Sequence, residues 1–441
     1  MSILSSILQN SRFETQGYCV SCDKLVPAKI VIHDKAVWLR RKCPVHGVSE
    51  VLQSQHPKHY LLMESMLAKA PQNVSFAHPL GSVDAVRGVF VDVTEKCNLH
   101  CPNCLTDAKT TLSGEPETIE NVLDSLKQML PYKPVVYLTG GEPTLLPNIV
   151  EWVASLSEAG YEVKLLSNGI KLVDENFCRE LKKAGTTWML LQFDGFDDDY
   201  LEALRGRPGL SEVRKKSLEN LSKVGMSIDL ACMIDAEYNL KDVGELIRFG
   251  FRTKGVKHVS FMPSRRIGRG DLTTDQNLLD EVRLIAEIDK QTGGKIKYRD
   301  WMSFFASMSA VYKLTGSADF VPRRCFMPLP LLGDSNNFYP ATRVSGYLKD
   351  PRNVLAFLQM AAKAGRVESA KMSERSLLIS IETFREWDSI DVCDAGRCSR
   401  FYLVDGHLKQ ACLYNNIERP RRRRKWEAQN TKHKHDIKKA G

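Results

Sequence analysis

VDVTEKCNLHCPNCLTD, residues 91–107, carries three cysteines, Cys97, Cys101 and Cys104, spaced Cys-x3-Cys-x2-Cys at the end of an apolar, β-branched run. The run reads as a strand and the cysteines as the loop that leaves it. Thiols this close together in a reducing compartment are metal ligands rather than disulfide partners. Four thiolates would close the coordination of a four-iron four-sulfur (4Fe-4S) cluster, whereas three leave one iron open to a ligand that the chain does not supply. A zinc site completed by a distant His or Cys has the same local spacing.

Outward from this stretch, residues 86–270 alternate regularly. RGVFVDVT, PVVYLTG, YEVKLLSNG, TWMLLQFDG, MSIDLACMI and VKHVSFMPS are short runs rich in β-branched and aromatic residues, and amphipathic helical patterns such as TIENVLDSLKQML and SEVRKKSLENLSKVG lie between them. Several of these helices stop at a Gly suited to a left-handed cap. Strand then helix, repeated, predicts an α/β fold with a parallel sheet and right-handed crossovers, either an open doubly wound sheet or a full or partial (βα) barrel. Either form places its ligand site at the carboxyl ends of the strands. The unusual residues fall there: the cysteine trio after the first strand, TGGEPTL after the second, LSNG after the third and QFDG after the fourth. The two glycines let bare backbone approach a ligand, and Glu142 can accept hydrogen bonds from a cationic amino group.

With these motifs in this order, the chain resembles the radical S-adenosylmethionine (SAM) superfamily. The resemblance implies a partial (βα)6 barrel over residues 80–290. It also implies a 4Fe-4S cluster on Cys97, Cys101 and Cys104, with the methionine amino and carboxylate groups of SAM chelating the open iron. Electron transfer, from a flavodoxin- or ferredoxin-like donor, then cleaves SAM to a 5′-deoxyadenosyl radical that abstracts a substrate hydrogen. The same resemblance carries Gly140, Gly141, Glu142 and Pro143 to holding the methionine moiety. More loosely it carries Ser167, Asn168, Gln192 and Asp194 to the ribose or carboxylate, where turn or capping roles are the alternative. Asn103 departs from the pattern, since the position before the third cysteine is usually aromatic. CNLHCPNC, LLQFDGFDDDYLEALRGR, YPATRV and RCSRFYLVDGHLKQACLYNN look like the subfamily of methylene-pterin-dependent radical methyltransferases and tetraether lipid synthases. That likeness implies alkylation or carbon-carbon coupling at an unactivated carbon of a lipid chain or a pterin-like small molecule. Radical modification of a peptide or RNA is the competing enzyme reading, and a non-catalytic zinc-knuckle adaptor is the non-enzyme one. The intact trio and GGE motif speak against the adaptor.

The remaining nine of the 12 cysteines complete the map. Cys19-x2-Cys22 and Cys43-x2-His46 offer a tetrahedral Cys3His set for zinc or a single iron, within a module at residues 1–70 too small to build a core alone. Cys325, Cys393, Cys398 and Cys412, in a region spanning 291–416, could hold an auxiliary iron-sulfur cluster, with zinc or free thiols as alternatives. Cys178 and Cys232 sit in apolar patterns and are expected to be core thiols. At 441 residues and 43% hydrophobic content the chain can bury more than one core, and no apolar run approaches ~20 residues, so a soluble, cytoplasmic enzyme is expected. The net charge of +9 owes much to residues 417–441, which include RPRRRRKW. This basic tail is expected to be disordered, or to touch an anionic membrane surface from the side.

Overall fold

The computed structural model describes residues 14–67, 86–108, 117–270, 278–315, 322–343 and 376–420. The basic run Arg421 to Arg424 lies outside them. At the amino end, β1 (Glu14–Tyr18), β2 (Leu25–His33), β3 (Ala36–Cys43) and β4 (Gly47–Ser54) form a four-stranded antiparallel ribbon in sequential order. Its own core is small, built around Ile30, Val37, Leu39 and Tyr60. The helix Pro57–Leu67 follows, and its Met63 and Leu67 enter the main core, which ties the ribbon to the rest of the molecule. Polar contacts add to this: the Arg41 guanidinium donates to the Asp388 carbonyl at 2.7 Å, and Gln53 donates to the Ser389 carbonyl at 3.0 Å.

The six strands expected from the sequence are β5 (Gly88–Thr94), β6 (Val135–Gly140), β7 (Val163–Ser167), β8 (Thr186–Gln192), β9 (Ser227–Ile234) and β10 (Val256–Pro263). They pair in parallel and in sequence. The C-terminal region adds β11 (Phe326–Gly333), β12 (Phe338–Pro340), β13 (Ser376–Glu382), β14 (Arg400–Val404) and β15 (His407–Gln410) to the same sheet, giving the order β12-β11-β13-β10-β9-β8-β7-β6-β5-β14-β15. Both ends of that order are unpaired, so the barrel is partial. The strands described after residue 291 extend the sheet at both flanks of the six parallel strands, with β13 parallel to β10 and β14 parallel to β5.

Side chains alternate across a strand, and here the two faces differ in chemistry. Val89, Val91 and Val93 of β5, Val136 and Leu138 of β6, and Ile228, Leu230 and Cys232 of β9 pack outward into one continuous core with the helices. Cys178 joins the same core, as expected of a structural thiol. The alternate residues, Phe90, Tyr137, Lys164, Asp229 and His258, face the barrel interior and line a cavity. Among the described residues no helix is long and apolar enough to cross a membrane.

Candidate active site

At the carboxyl ends of the strands, the loop bearing Cys97, Cys101 and Cys104 is built against the turn after β6. Gly141 N–H donates to the Thr94 carbonyl at 2.7 Å and Glu142 N–H to the Lys96 carbonyl at 2.8 Å. A Cβ on Gly141 would lie 2.2 Å from the Lys96 carbonyl oxygen, and one on Gly140, at φ +126, would lie 2.1 Å from that of Thr94. These glycines are therefore required by close approach. Thr106 closes the far side of the loop by donating to the Gly140 carbonyl at 3.1 Å. After β10, Arg269 donates to the Cys101 and Ala108 carbonyls, each at 2.6 Å, and its own N–H reaches the Cys104 carbonyl at 3.0 Å.

The Glu142 carboxylate is buried and binds its neighbours. Its Oε1 accepts from the Thr144 hydroxyl at 2.6 Å and from Ser167 at 2.8 Å; its Oε2 accepts from Asn168 N–H at 2.8 Å. Burial raises its pKa, and these donors oppose that rise. A carboxylate has about four acceptor positions, so Oε2 keeps one for a ligand amino group. Asn168 reaches back to Asn98 of the cysteine loop at 2.7 Å. Gly140, Gly141, Glu142, Pro143, Ser167 and Asn168 thus form one bonded platform beside the trio, and Gln192 lines the same cavity.

Asp194 stands one layer back. It is fully buried and accepts from the Arg205 guanidinium at 2.7 and 2.5 Å, from Arg214 at 3.2 Å and from Met233 N–H at 3.0 Å. Burial alone would raise its pKa, and the two guanidinium groups outweigh that and hold it below the usual carboxylate range. It orients Arg205, which lines the cavity and whose charge opposes the rise that burial imposes on the Cys101 thiol. Burial pushes Cys97 up to about 12 and raises Cys101, so burial favours the neutral thiols over the thiolates that metal ligation needs.

The amino-terminal ribbon gathers its ligands differently. Cys22 Sγ lies 3.9 Å from Cys43 Sγ, and His46 Nδ1 lies 3.6 Å from Cys19 Sγ and 3.5 Å from Cys43 Sγ. A tetrahedral zinc with Zn–S ~2.3 Å and Zn–N ~2.0 Å has edges of ~3.8 and ~3.5 Å, so the set fits one ion. Backbone N–H groups of His46 and Val45 bring Cys43 down to about 6, which favours the ligating thiolate. Among the described residues only this group holds three or more such ligand atoms all within 4.8 Å of one another. The sulfurs of Cys97, Cys101 and Cys104 are therefore too spread for a single tetrahedral ion, which disfavours zinc there and fits ligands to separate irons of a cluster.

The late cysteines divide. Burial takes Cys325 to about 11 and Cys412 to about 12, and the Cys398 sulfur adds to the rise at both. Cys393 is raised by burial too, but its other influences are Thr15, Asp391, Arg397 and Asp394, and no cysteine is among them. Cys393 sits beside the ribbon, where its N–H lies 3.5 Å from Thr15 Oγ1.

From the trio a cavity of about 850 Å³ runs down the barrel interior to a polar floor that holds Tyr137, Lys164, Asp229, His258, Glu382 and Arg400. Asp229 Oδ2 lies 2.8 Å from His258 Nδ1, and His258 Nε2 lies 2.8 Å from Ser380 Oγ. None of these floor residues, nor Arg205, Arg214 or Arg269, was singled out from the sequence. The available signal was polar residues at alternate positions in strands whose neighbours on the sheet are buried.

Residues 91–250 match the radical SAM superfamily model, and residues 12–55 match the HMPTM N-terminal zinc ribbon domain. Over 310 residues the chain is 28% identical to 7,8-dihydro-6-hydroxymethylpterin dimethyltransferase of Methanocaldococcus jannaschii, covering 65% of this chain and 60% of the relative. It is 26% identical over 204 residues to Fe-coproporphyrin III synthase of Methanosarcina barkeri, covering 45% of this chain and 50% of the relative. The chain thus spans between half and three-fifths of these relatives' lengths. Among solved structures, Streptococcus suis SuiB bound to precursor peptide SuiA aligns with a TM-score of 0.40 at 15% identity, covering 49% of this chain and 47% of that one.

Proposed function

This chain belongs to the radical SAM superfamily, with a metal-binding zinc ribbon before its partial barrel, and from that premise we propose that it functionalises an unactivated carbon of a pterin-like small molecule. The observation that carries the reading is the continuous cavity from the cysteine loop to a charged, aromatic floor. A lipid chain would leave Lys164, Asp229 and Arg400 facing methylene groups, which costs the desolvation of each. A heterocycle with donors and acceptors on its edge satisfies them. The similarity to the pterin dimethyltransferase, in the barrel and in the ribbon, supports the same substrate class.

Cys97, Cys101 and Cys104 would hold an iron-sulfur cluster, which with SAM bound would supply a carbon-centred radical. The chain's own residues set the conditions. The Gly140–Gly141 turn presents bare backbone, Glu142 keeps one acceptor for the methionine amino group, and Ser167 and Asn168 fix that carboxylate in place. Arg205, held by Asp194, places its positive charge near Cys101 and favours thiolate at a buried position. Cys325, Cys398 and Cys412 are the proposed ligands of an auxiliary cluster, where three thiolates again leave an open iron unless Cys393 or another donor moves in. An outside flavodoxin- or ferredoxin-like protein is the proposed electron donor.

Modification of a peptide or RNA is the second reading. A cavity of about 850 Å³ exceeds what a single ring fills, so it has room for a side chain and its flanking backbone. The test separates the two. Anaerobically reconstituted protein, with strong reductant and SAM, is expected to form 5′-deoxyadenosine faster when 7,8-dihydro-6-hydroxymethylpterin is added, and mass spectrometry should show an alkylated pterin. No 5′-deoxyadenosine under any condition would refute the radical assignment. Formation that the pterin neither accelerates nor enters would move the reading to a peptide or RNA.

A further inference from the structure

Arg400 occupies an unusual place on the floor. It enters from β14, opposite Gly88 of β5, while Phe90 of β5 pairs with Tyr137 of β6, and Tyr137 with Lys164 of β7. Its guanidinium carbon lies 4.8 Å from the Tyr137 ring centre and 6.0 Å from that of Phe90. A Cβ on Gly88 would lie 2.6 Å from Tyr137 Cε2 and 3.2 Å from Arg400 Cδ, so the glycine makes room for the guanidinium to lie along the ring. The backbone N–H of Arg400 is bonded to Cys398, but among the described residues nothing accepts a hydrogen bond from its guanidinium. Five donors in a fixed fork are therefore held beside an aromatic ring in a cavity with no hydrogen-bonding partner among the described residues.

Asp229 offers the complementary chemistry. His258 occupies one position of its Oδ2, and Ser260 donates to Oδ1 at 2.9 Å, so about two of its four acceptor positions remain. Burial would raise this carboxyl, and His258, Ser260 and Lys164 outweigh that and keep it ionised. Asp229 and Arg400 line the same cavity, and the carboxylate adds to the rise of the guanidinium.

We propose that Arg400 and Asp229 are the substrate-reading pair: the Arg400 fork donates to a ring carbonyl oxygen and Asp229 accepts from adjacent ring or exocyclic N–H groups of a flat heterocycle. The inference rests on the pterin-like reading and names the residues that would enforce it. A site built to pair a carbonyl rejects an analogue that lacks it, because its own donors are then stranded.

The experiment is an anaerobic fluorescence titration of reconstituted protein with 7,8-dihydro-6-hydroxymethylpterin and with its 2,4-diamino analogue, in which the ring oxygen is replaced by NH2. Wild-type protein, R400M and D229N are compared, with R400A in reserve should R400M lose its iron content or its thermal transition. Wild type should bind the oxo compound more than 10-fold tighter than the diamino one. In R400M oxo binding should weaken about 10- to 100-fold and the preference should vanish, as loss of a charge-assisted hydrogen bond requires. D229N should weaken both ligands, since each donates N–H groups to it. Wild-type binding with an unchanged preference in R400M, or in R400A if R400M does not fold, overturns the pair while the pterin reading stands. Absence of binding to wild type overturns both.

Discussion

Gly141→Ala should uncouple the cysteine loop from the platform that faces it. The added Cβ would meet the Lys96 carbonyl oxygen at 2.2 Å, its carbon at 2.6 Å and the Glu95 oxygen at 2.7 Å, all backbone atoms that no rotamer change can move. Ordinary contact requires about 1 Å more, so the chain immediately before Cys97 must shift by that much, and the 2.8 Å bond from Glu142 N–H to the Lys96 carbonyl stretches with it. Overpacking of this kind costs about 1–3 kcal/mol of stability. A ~1 Å misplacement of reacting groups can cost about 10²-fold in rate. Gly209→Ala is the control: at φ +69 it carries the left-handed strain, about 1 kcal/mol, but nothing lies within 4 Å of its Cβ. The assay is initial-rate 5′-deoxyadenosine formation, with iron content and thermal midpoint measured on the same samples. G141A is expected to lose at least 10-fold in rate, and G209A to stay within 2-fold. A G141A enzyme of wild-type rate would show that the loop and the GGE turn are not a rigid pair.

Two further outcomes follow from buried groups. Replacing Cys325, Cys398 and Cys412 with Ser should lower the iron content while Cys393→Ser leaves it unchanged, read by metal analysis; equal loss in both would return Cys393 to the ligand set. Glu281, paired with His59 Nε2 at 3.4 Å, has its pKa lowered from 4.5 to about 2, since the His59 interaction outweighs burial. A depressed folded pKa contributes stability above pH ~4.5 that is lost as pH falls toward 2, on the order of 1–3 kcal/mol, so Glu281→Gln should flatten the denaturant midpoint between pH 6 and 3. A wild-type acid profile in that variant would sink the assignment.

The six strands of the barrel were legible because each strand and helix is a local pattern, and their carboxyl ends were marked by glycines and cysteines. The flanks were not. β14 pairs with β5 across some 300 positions, and no local period in RFYLV reports a partner at that separation. The site was half legible for a related reason. Cys97, Gly141 and Glu142 stand in a loop or a turn, where an unusual residue type is conspicuous. Asp229, His258 and Lys164 stand inside strands, and polar residues at alternate positions read the same whether that face meets water or a closed interior. Arg400 was hidden by its neighbour: two positions after Cys398, it lay in a segment read for its thiols. Asp194 was correctly placed at a strand end, yet only the structure shows that it acts through Arg205, which lies eleven residues on along the next helix.

The two ends of the cavity are joined by single strands, and this limits what can react. β9 carries Asp229 on the floor and, four residues later, Met233, whose N–H bonds Asp194 behind Arg205 and Cys101. At ~3.3 Å per residue these points are ~13 Å apart along a strand buried in the sheet. No loop intervenes to absorb a longer or shorter substrate. A molecule read at the floor must therefore present its reacting carbon within that fixed span, because approach to within ~3.5 Å of the attacking atom is what converts proximity into rate. A compact ring with polar groups on one edge and a substituent on the other meets this condition. A long flexible chain would gain nothing from the floor's donors and would have to fold to stay in reach. On the proposed pterin-like reading, the rigidity of the sheet and the polarity of its floor would favour the same kind of substrate by independent means.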